Sequence, residues 1–95
     1  MARRVFTALL LGALALGSSS LAAQEPNDAL QSKLDFANGL FVRGFFSEAT
    51  EEYEAYLAAL AGQTAPPEVL YHLGEAAHAA GSHERALAAF EQLQA

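Results

Sequence analysis

The chain has 95 residues, contains no cysteine and carries 11 Asp and Glu against 5 Lys and Arg. This length allows one small domain at most, and the lack of cysteine excludes disulfides and thiolate-bound metal as sources of stability. The excess of negative charge argues against nucleic acid as a partner, because binding to phosphates depends on Lys and Arg that displace counterions.

The first 22 residues have the three parts of a secretory signal peptide. Arg3 and Arg4 supply a positive start, an uncharged stretch rich in Leu and Ala covers residues 5–17, and small residues lead to Ala22. The apolar stretch is shorter than the roughly 20 residues that a membrane-spanning helix needs. We therefore predict a signal-peptide helix, cleavage after Ala22, no stable membrane anchor after cleavage, and a periplasmic or secreted protein. Without the two arginines, three basic residues face 11 acidic ones, a net charge of −8.

The remaining chain is predicted to form two helical hairpins. Residues 23–29 are interpreted as a linker, residues 30–61 as the first hairpin, residues 62–66 as a loop and residues 67–95 as the second hairpin. Apolar side chains recur at helical spacing in each half, which is the pattern of an amphipathic helix.

Local signals place the helix ends. Gly44 and Gly81 are predicted to end the first and third helices, because glycine readily adopts the left-handed conformation that follows a helix. Pro67 suits the first position of the third helix, where a backbone N–H would have no helical partner, and Ser82 is a predicted N-cap. The second helix is predicted over residues 47–60, and the fourth from His83 to the last residue.

The two halves align when they are offset by 37 residues, which indicates an internal repeat. The paired positions agree in kind: Phe36 with Leu73, Ala37 with Gly74, Leu40 with Ala77, Gly44 with Gly81, Ala49 with Ala86, and Tyr53 with Phe90.

These residues resemble the tetratricopeptide repeat family, whose pattern is Trp/Leu-x-x-Leu-Gly-x-x-Tyr, a turn Gly and then Ala-x-x-x-Phe. The first copy departs from it, with Lys33 where a large apolar residue is usual and Ala37 in place of Gly. The resemblance covers residues 30–95 and implies an all-α fold of tandem antiparallel hairpins, a short α-solenoid. The second copy keeps the spacing throughout, with Leu70, Leu73, Gly74, Gly81, Ala86 and Phe90, while Ala77 replaces the usual aromatic residue.

The small residues of the pattern have a packing role. Gly74 and Ala86 are expected where paired helices approach most closely, with Leu73 and Phe90 filling the space beside them. Of the adjacent Phe45 and Phe46, we expect one to pack and the other to remain exposed.

The resemblance also implies a concave groove, lined by the first helix of each hairpin, that binds peptides or protein segments. Phe41 and Tyr71 are the expected anchors, because aromatic side chains dominate interface energetics. The residues at groove positions are Gln31, Leu34, Asp35, Asn38 and Phe41 in the first copy and Tyr71, His72, Glu75 and His78 in the second.

No pattern in the chain predicts catalysis, a cofactor or a metal. His72 and His78 are six residues apart and diverge around the helix, so they do not suit a shared metal ion. The dense carboxylates at Glu48, Glu51, Glu52 and Glu54 are interpreted as a solvated helix face.

The second copy stops at Ala95, before the Pro that usually closes such a repeat, and solenoids generally need three or more repeats. We therefore expect either further repeats in a longer array or self-association. The predicted function is an exported scaffold or adaptor for protein interactions in the bacterial cell envelope, without enzymatic activity. The alternatives are a self-assembling envelope subunit and the adaptor part of a longer protein with an enzymatic domain beyond residue 95.

Overall fold

The structure, a computed structural model, describes residues 26–95 and shows four α-helices and no strand in that range. The helices are α1 (Pro26–Val42), α2 (Phe46–Ala59), α3 (Pro67–Ala79) and α4 (His83–Gln94). The predicted all-α fold is therefore confirmed. The predicted signal peptide and its cleavage site lie outside the described residues.

Helix α1 begins earlier than the sequence analysis predicted. Residues 26–29 were assigned to the linker, but they form the first turn of α1. Proline is well tolerated there because its missing N–H would be unpaired anyway, and Asp28 places a negative charge in the first turn, where the helix dipole favours it.

The two hairpin turns have the same backbone structure, 37 residues apart. Gly44 and Gly81 both have a φ of 84°, in the left-handed region that favours glycine. The Phe45 amide donates to the Leu40 carbonyl at 2.9 Å, and the Ser82 amide donates to the Ala77 carbonyl at 2.8 Å. These bonds span six residues, as in the Schellman motif that closes many helices.

The starts of α3 and α4 lie where the local sequence predicted them, but one predicted capping contact is not formed. Pro67 is in the first turn of α3, as predicted, and Pro66 holds the N-cap position with extended backbone. Ser82 holds the N-cap position of α4, but its side chain makes no capping hydrogen bond. The predicted position is therefore correct, while the predicted capping contact is absent from this helix.

Helix α1 packs on α2, α3 packs on α4, and α2 packs on α3, so that two hairpins share one core. The tyrosines of α2 lie at the centre, since Tyr53 is fully buried and Tyr56 nearly so. The shared buried cluster consists of Ala37, Leu40, Ala49, Tyr53, Tyr56, Leu60, Val69, Leu73, Ala76 and Ala89.

Gly74 lies at a close approach of α3 and α4. A Cβ atom there would come within 2.4 Å of the Phe90 ring, which leaves no room for a side chain unless the ring moves. On the same two helices, Leu70, Ala77 and Ala86 are also buried.

Phe36 does not pack as the repeat alignment predicted. It is 53% exposed, whereas the aligned Leu73 is 4% exposed. Leu73 belongs to the core shared with the first hairpin, while no described helix covers the corresponding side of α1. The exposure of Phe36 therefore follows from its place at the outer face of the first hairpin.

The two adjacent phenylalanines divide as expected. Phe46 packs against the core, and its ring lies 5.7 Å from that of Phe41 in an edge-to-face arrangement. Phe45 is 48% exposed, and the Arg43 guanidinium lies over its ring. None of the described helices combines the length and apolar character needed to cross a membrane.

Candidate functional site

A cleft of about 280 Å³ lies between the first helices of the two hairpins. We call it the α1/α3 cleft. It is formed by neighbouring turns of α1 and by the start of α3 with the residue before it. Its lining residues are Leu34, Asn38, Pro66, Glu68, Val69 and His72.

His72 is held in place by aromatic rings of the first hairpin. Its ring centroid lies 5.0 Å from that of Phe41 and 6.3 Å from that of Tyr53, with the Tyr53 ring stacked at an interplanar angle of 29°. The imidazole is half-buried, so it contacts the core on one side and borders the cleft on the other. His72 thus couples the position of α3 to that of α1 at the cleft.

Asn38 is positioned by a buried tyrosine. The Tyr53 hydroxyl donates a 2.6 Å hydrogen bond to Oδ1 of Asn38, and burial of Tyr53 raises the pKa of its phenol above the usual value. A neutral phenol can keep donating this bond well into the alkaline range. Because Oδ1 is bound on the α2 side, the amide NH₂ group of Asn38 is left to donate to a molecule in the cleft.

Three of the nine predicted groove residues line the cleft, and six do not. Leu34, Asn38 and His72 are brought together across the two hairpins, as the groove interpretation requires. Phe41 lies behind His72 as part of its support. The remaining five are not among the lining residues: Gln31, Asp35, Tyr71, Glu75 and His78.

The expected anchor Tyr71 lies near α4. Its ring lies 6.4 Å from that of Phe90, and it is 48% exposed. A hydrogen bond to the Glu75 carboxylate, together with the negative charge of that group, raises the pKa of Tyr71. Neither expected aromatic anchor is therefore among the lining residues. Phe41 packs against His72, and the Tyr71 ring lies near both His72 and Phe90.

Sequence reasoning missed Pro66, Glu68 and Val69. Glu68 precedes His72 by four residues, so helical spacing alone places both on one face of α3. Pro66 was assigned to the loop, and nothing in its local sequence indicates that this end of the loop meets α1.

Among the residues that line the cleft, Glu68 supplies a negative charge and there is no Lys or Arg. Glu68 lines it, while Asp35 precedes Asn38 by three residues and Glu75 follows His72 by three, so both lie on the same helix faces as lining residues. The basic residues between positions 26 and 95 point elsewhere or are engaged: Arg85 pairs with Glu54, Arg43 donates to the Gly39 carbonyl, and Lys33 lies on a different stripe of α1.

Two other features lie away from the cleft. A hollow of about 370 Å³ surrounds the first turn of α4, but it is lined only by the consecutive residues 81–85 and therefore has no second element to orient a ligand. The rings of His78 and His83 lie 5.3 Å apart across the turn between α3 and α4. Among residues 26–95, no group of three or more His, Cys, Asp or Glu side chains could hold a metal ion.

Comparison with protein-family models gives no matching family, and searches of curated proteins and of solved structures give no match.

Proposed function

We propose that this chain is an exported scaffold of the tetratricopeptide repeat type that binds segments of other proteins in the α1/α3 cleft and performs no chemistry itself. The observation that carries the proposal is that Leu34 and Asn38 of the first hairpin meet His72 of the second at one cleft. The repeat pattern assigns these three to a shared binding face before any packing is known.

The composition of the cleft supports recognition of a protein segment. Leu34 and Val69 offer apolar contact, and Asn38 offers hydrogen-bond donors that the backbone carbonyls of an extended segment can accept. The volume lies just below the roughly 300–1,000 Å³ of sites that enclose a small molecule. The cleft therefore suits one or two side chains of a larger partner.

Capture from a periplasmic extract tests this function. The mature segment, starting at Ala23, is compared with a Leu34→Gln, His72→Gln variant and with Leu87→Gln, which changes an exposed leucine on α4. We expect the cleft variant to lose the partners that wild type and Leu87→Gln retain, with circular dichroism confirming that all three proteins fold. Retention of the same partners by the cleft variant would refute the assignment of binding to this cleft.

The export part of the proposal rests on the sequence of residues 1–22. Mass spectrometry of the protein recovered from the expressing cell should give a mature N-terminus at Ala23, because small side chains at Ser20 and Ala22 suit signal peptidase. An intact N-terminus on cytoplasmic protein would refute export.

A self-assembling subunit is the second candidate, and the exposed outer faces of the hairpins favour it. Leu87 is 59% exposed, while Thr50, its counterpart 37 residues earlier, is 1% exposed. Phe36 is exposed at the opposite end. Another copy could cover these side chains by repeating the packing between the two hairpins.

Charge at that repeated contact disfavours self-assembly. Within the chain, Arg85 of α4 pairs with Glu54 of α2. In a head-to-tail pair of copies, the corresponding positions are Glu48 and Glu91, so two carboxylates would meet where the chain itself has an ion pair. We therefore place protein binding in the cleft ahead of self-assembly.

A further inference from the structure

We infer that the α1/α3 cleft selects a cationic segment, one that places an aliphatic side chain between Leu34 and Val69 and Lys or Arg side chains beside it. This inference rests on the proposed function and adds the chemistry of the partner to it.

The lining of the cleft carries negative charge. Glu68 is a lining residue on α3. Asp35 on α1 and Glu75 on α3 flank the lining residues at helical spacings of three, and both carry carboxylates on the same faces. Glu68 therefore places a carboxylate at an opening of about 280 Å³, and Asp35 and Glu75 lie one helical turn from the lining residues Asn38 and His72.

The basic residues in the described part of the chain do not balance the negative charge at the cleft. Arg85 is committed to Glu54 on the second helices of the hairpins, where bidentate hydrogen bonding raises its pKa. Arg43 donates from Nε to the Gly39 carbonyl at 3.2 Å and covers Phe45. By helical spacing, Lys33 is about 140° around α1 from the lining residue Asn38, whereas Asp35 is about 60° from it.

The apolar lining residues of the cleft indicate what the centre of the bound segment should be. Leu34 is half-buried and Val69 is buried, and both line the cleft. The surface between them is therefore apolar and favours contact with an aliphatic side chain. An aliphatic side chain at the centre with basic residues on either side matches both the floor and the rim of the cleft. An acidic segment would place like charges against Glu68, which is unfavourable.

Fluorescence polarisation with three labelled nine-residue peptides tests the inference. Each has a central leucine, flanked on each side by two lysines, two serines or two glutamates. We expect the lysine peptide to bind about tenfold more tightly than the serine peptide, as for a few exposed charge pairs acting together, and the glutamate peptide to bind most weakly. Raising the salt from 50 to 300 mM should reduce the preference, because exposed pairs are screened.

A matched pair of variants separates the cleft from the overall charge of the protein. Glu68→Gln and Glu48→Gln remove the same charge, but Glu48 lies in the first turn of α2, outside the cleft. We expect Glu68→Gln to weaken the lysine peptide several-fold and Glu48→Gln to leave it unchanged. Equal losses in both variants would overturn the inference, because they would reflect net charge alone.

Different outcomes would refute the preference for a cationic segment and the proposed binding of protein segments. Equal binding of all three peptides, abolished by Leu34→Gln, would overturn charge selection and leave the cleft as a protein-binding site. Absence of peptide binding would also overturn the inference, whereas the proposed function fails only if partner capture is insensitive to the cleft variant. Circular dichroism of Glu68→Gln and Leu34→Gln confirms the fold in each case.

Discussion

Two helical glycines with opposite surroundings allow a direct test of packing at the level of one residue. A Cβ at Gly74 would meet the Phe90 ring at 2.4 Å, whereas a Cβ at Gly39 would meet nothing within 4 Å. Substitution of Gly39 by alanine thus measures only the helix propensity of the two residues. The same substitution at Gly74 adds the steric cost of a crowded contact.

We expect Gly74→Ala to lower the free energy of unfolding by about 1–3 kcal/mol, because the added methyl group overpacks the contact between α3 and α4. Gly39→Ala should raise the same quantity by up to about 1 kcal/mol, because alanine is the better helix former. Urea unfolding of both variants measures the difference. An unchanged Gly74→Ala protein would mean that the half-buried Phe90 ring moves aside without cost.

Tyr53 joins the core to the cleft through its hydroxyl group. Tyr53→Phe should lower the free energy of unfolding by about 1 kcal/mol at neutral pH, the usual net value of one hydrogen bond, because Asn38 is exposed and can bond to water instead. Urea unfolding at pH 7 measures this loss.

The raised pKa of Tyr53 adds a pH dependence with a definite sign. A group whose pKa is higher in the folded state stabilises fully below its unfolded pKa, about 10 for tyrosine, and loses this contribution as the pH rises through the folded pKa. The stability advantage of wild type over Tyr53→Phe should therefore hold to about pH 10 and shrink above it. A difference that stayed constant up to pH 11.5 would contradict burial of the phenol.

At the level of elements, the second helices of the two hairpins are linked by the ion pair between Arg85 and Glu54. Nε of Arg85 donates to Oε2 of Glu54 at 3.1 Å, and a second guanidinium nitrogen donates to Oε1. The side chains remain 41% and 39% exposed, so water and salt screen the pair.

A double-mutant cycle with Arg85→Met and Glu54→Gln should give a coupling energy of about 0.2–1 kcal/mol, the range for exposed pairs. The coupling should fall at 1 M salt, where the screening length is only about 3 Å. Thermal unfolding at both salt concentrations provides the values. A coupling of zero at low salt would show that the hairpins are joined by their apolar core alone.

At the level of the whole molecule, the outer faces of the hairpins determine whether copies stack. We expect Glu48→Arg to promote self-association, because it would place a cation opposite Glu91 of the next copy where wild type has two carboxylates. Light scattering after size exclusion should show a mass that rises with concentration for this variant and stays monomeric for wild type at micromolar concentration.

Glu84→Arg is the matched control, since Glu48 and Glu84 both lie in the first turn of their helices. Glu84 aligns with Ser47, which is exposed, so we do not expect this position to take part in the repeated contact. Equal association of both variants would show that lowered net charge, rather than a repeated packing contact, controls assembly.

The sequence by itself determined the features that depend on neighbouring residues. The all-helical fold, the glycine turns at Gly44 and Gly81 and the start of α3 at Pro67 follow from backbone preferences over a few positions. The start of α1 was missed because a polar stretch containing Pro26 is compatible with a linker as well as with a first helical turn.

Only part of the candidate site could be predicted from the sequence. The resemblance to tetratricopeptide repeats pointed to Leu34 and Asn38 on α1 and to His72 on α3 as groove residues. It could not show that Tyr71 lies against Phe90, or that Pro66 closes the end of the cleft, because these depend on how the helices pack.

Only the tertiary structure decided the contacts that join distant parts of the chain. The stacking of His72 on Tyr53, the pairing of Arg85 with Glu54 and the contrast between buried Leu73 and exposed Phe36 all depend on how one hairpin sits on the other. That packing is set by which side chains fill the space between hairpins. Repeat spacing fixes which positions correspond, but burial at each position depends on whether another hairpin covers it.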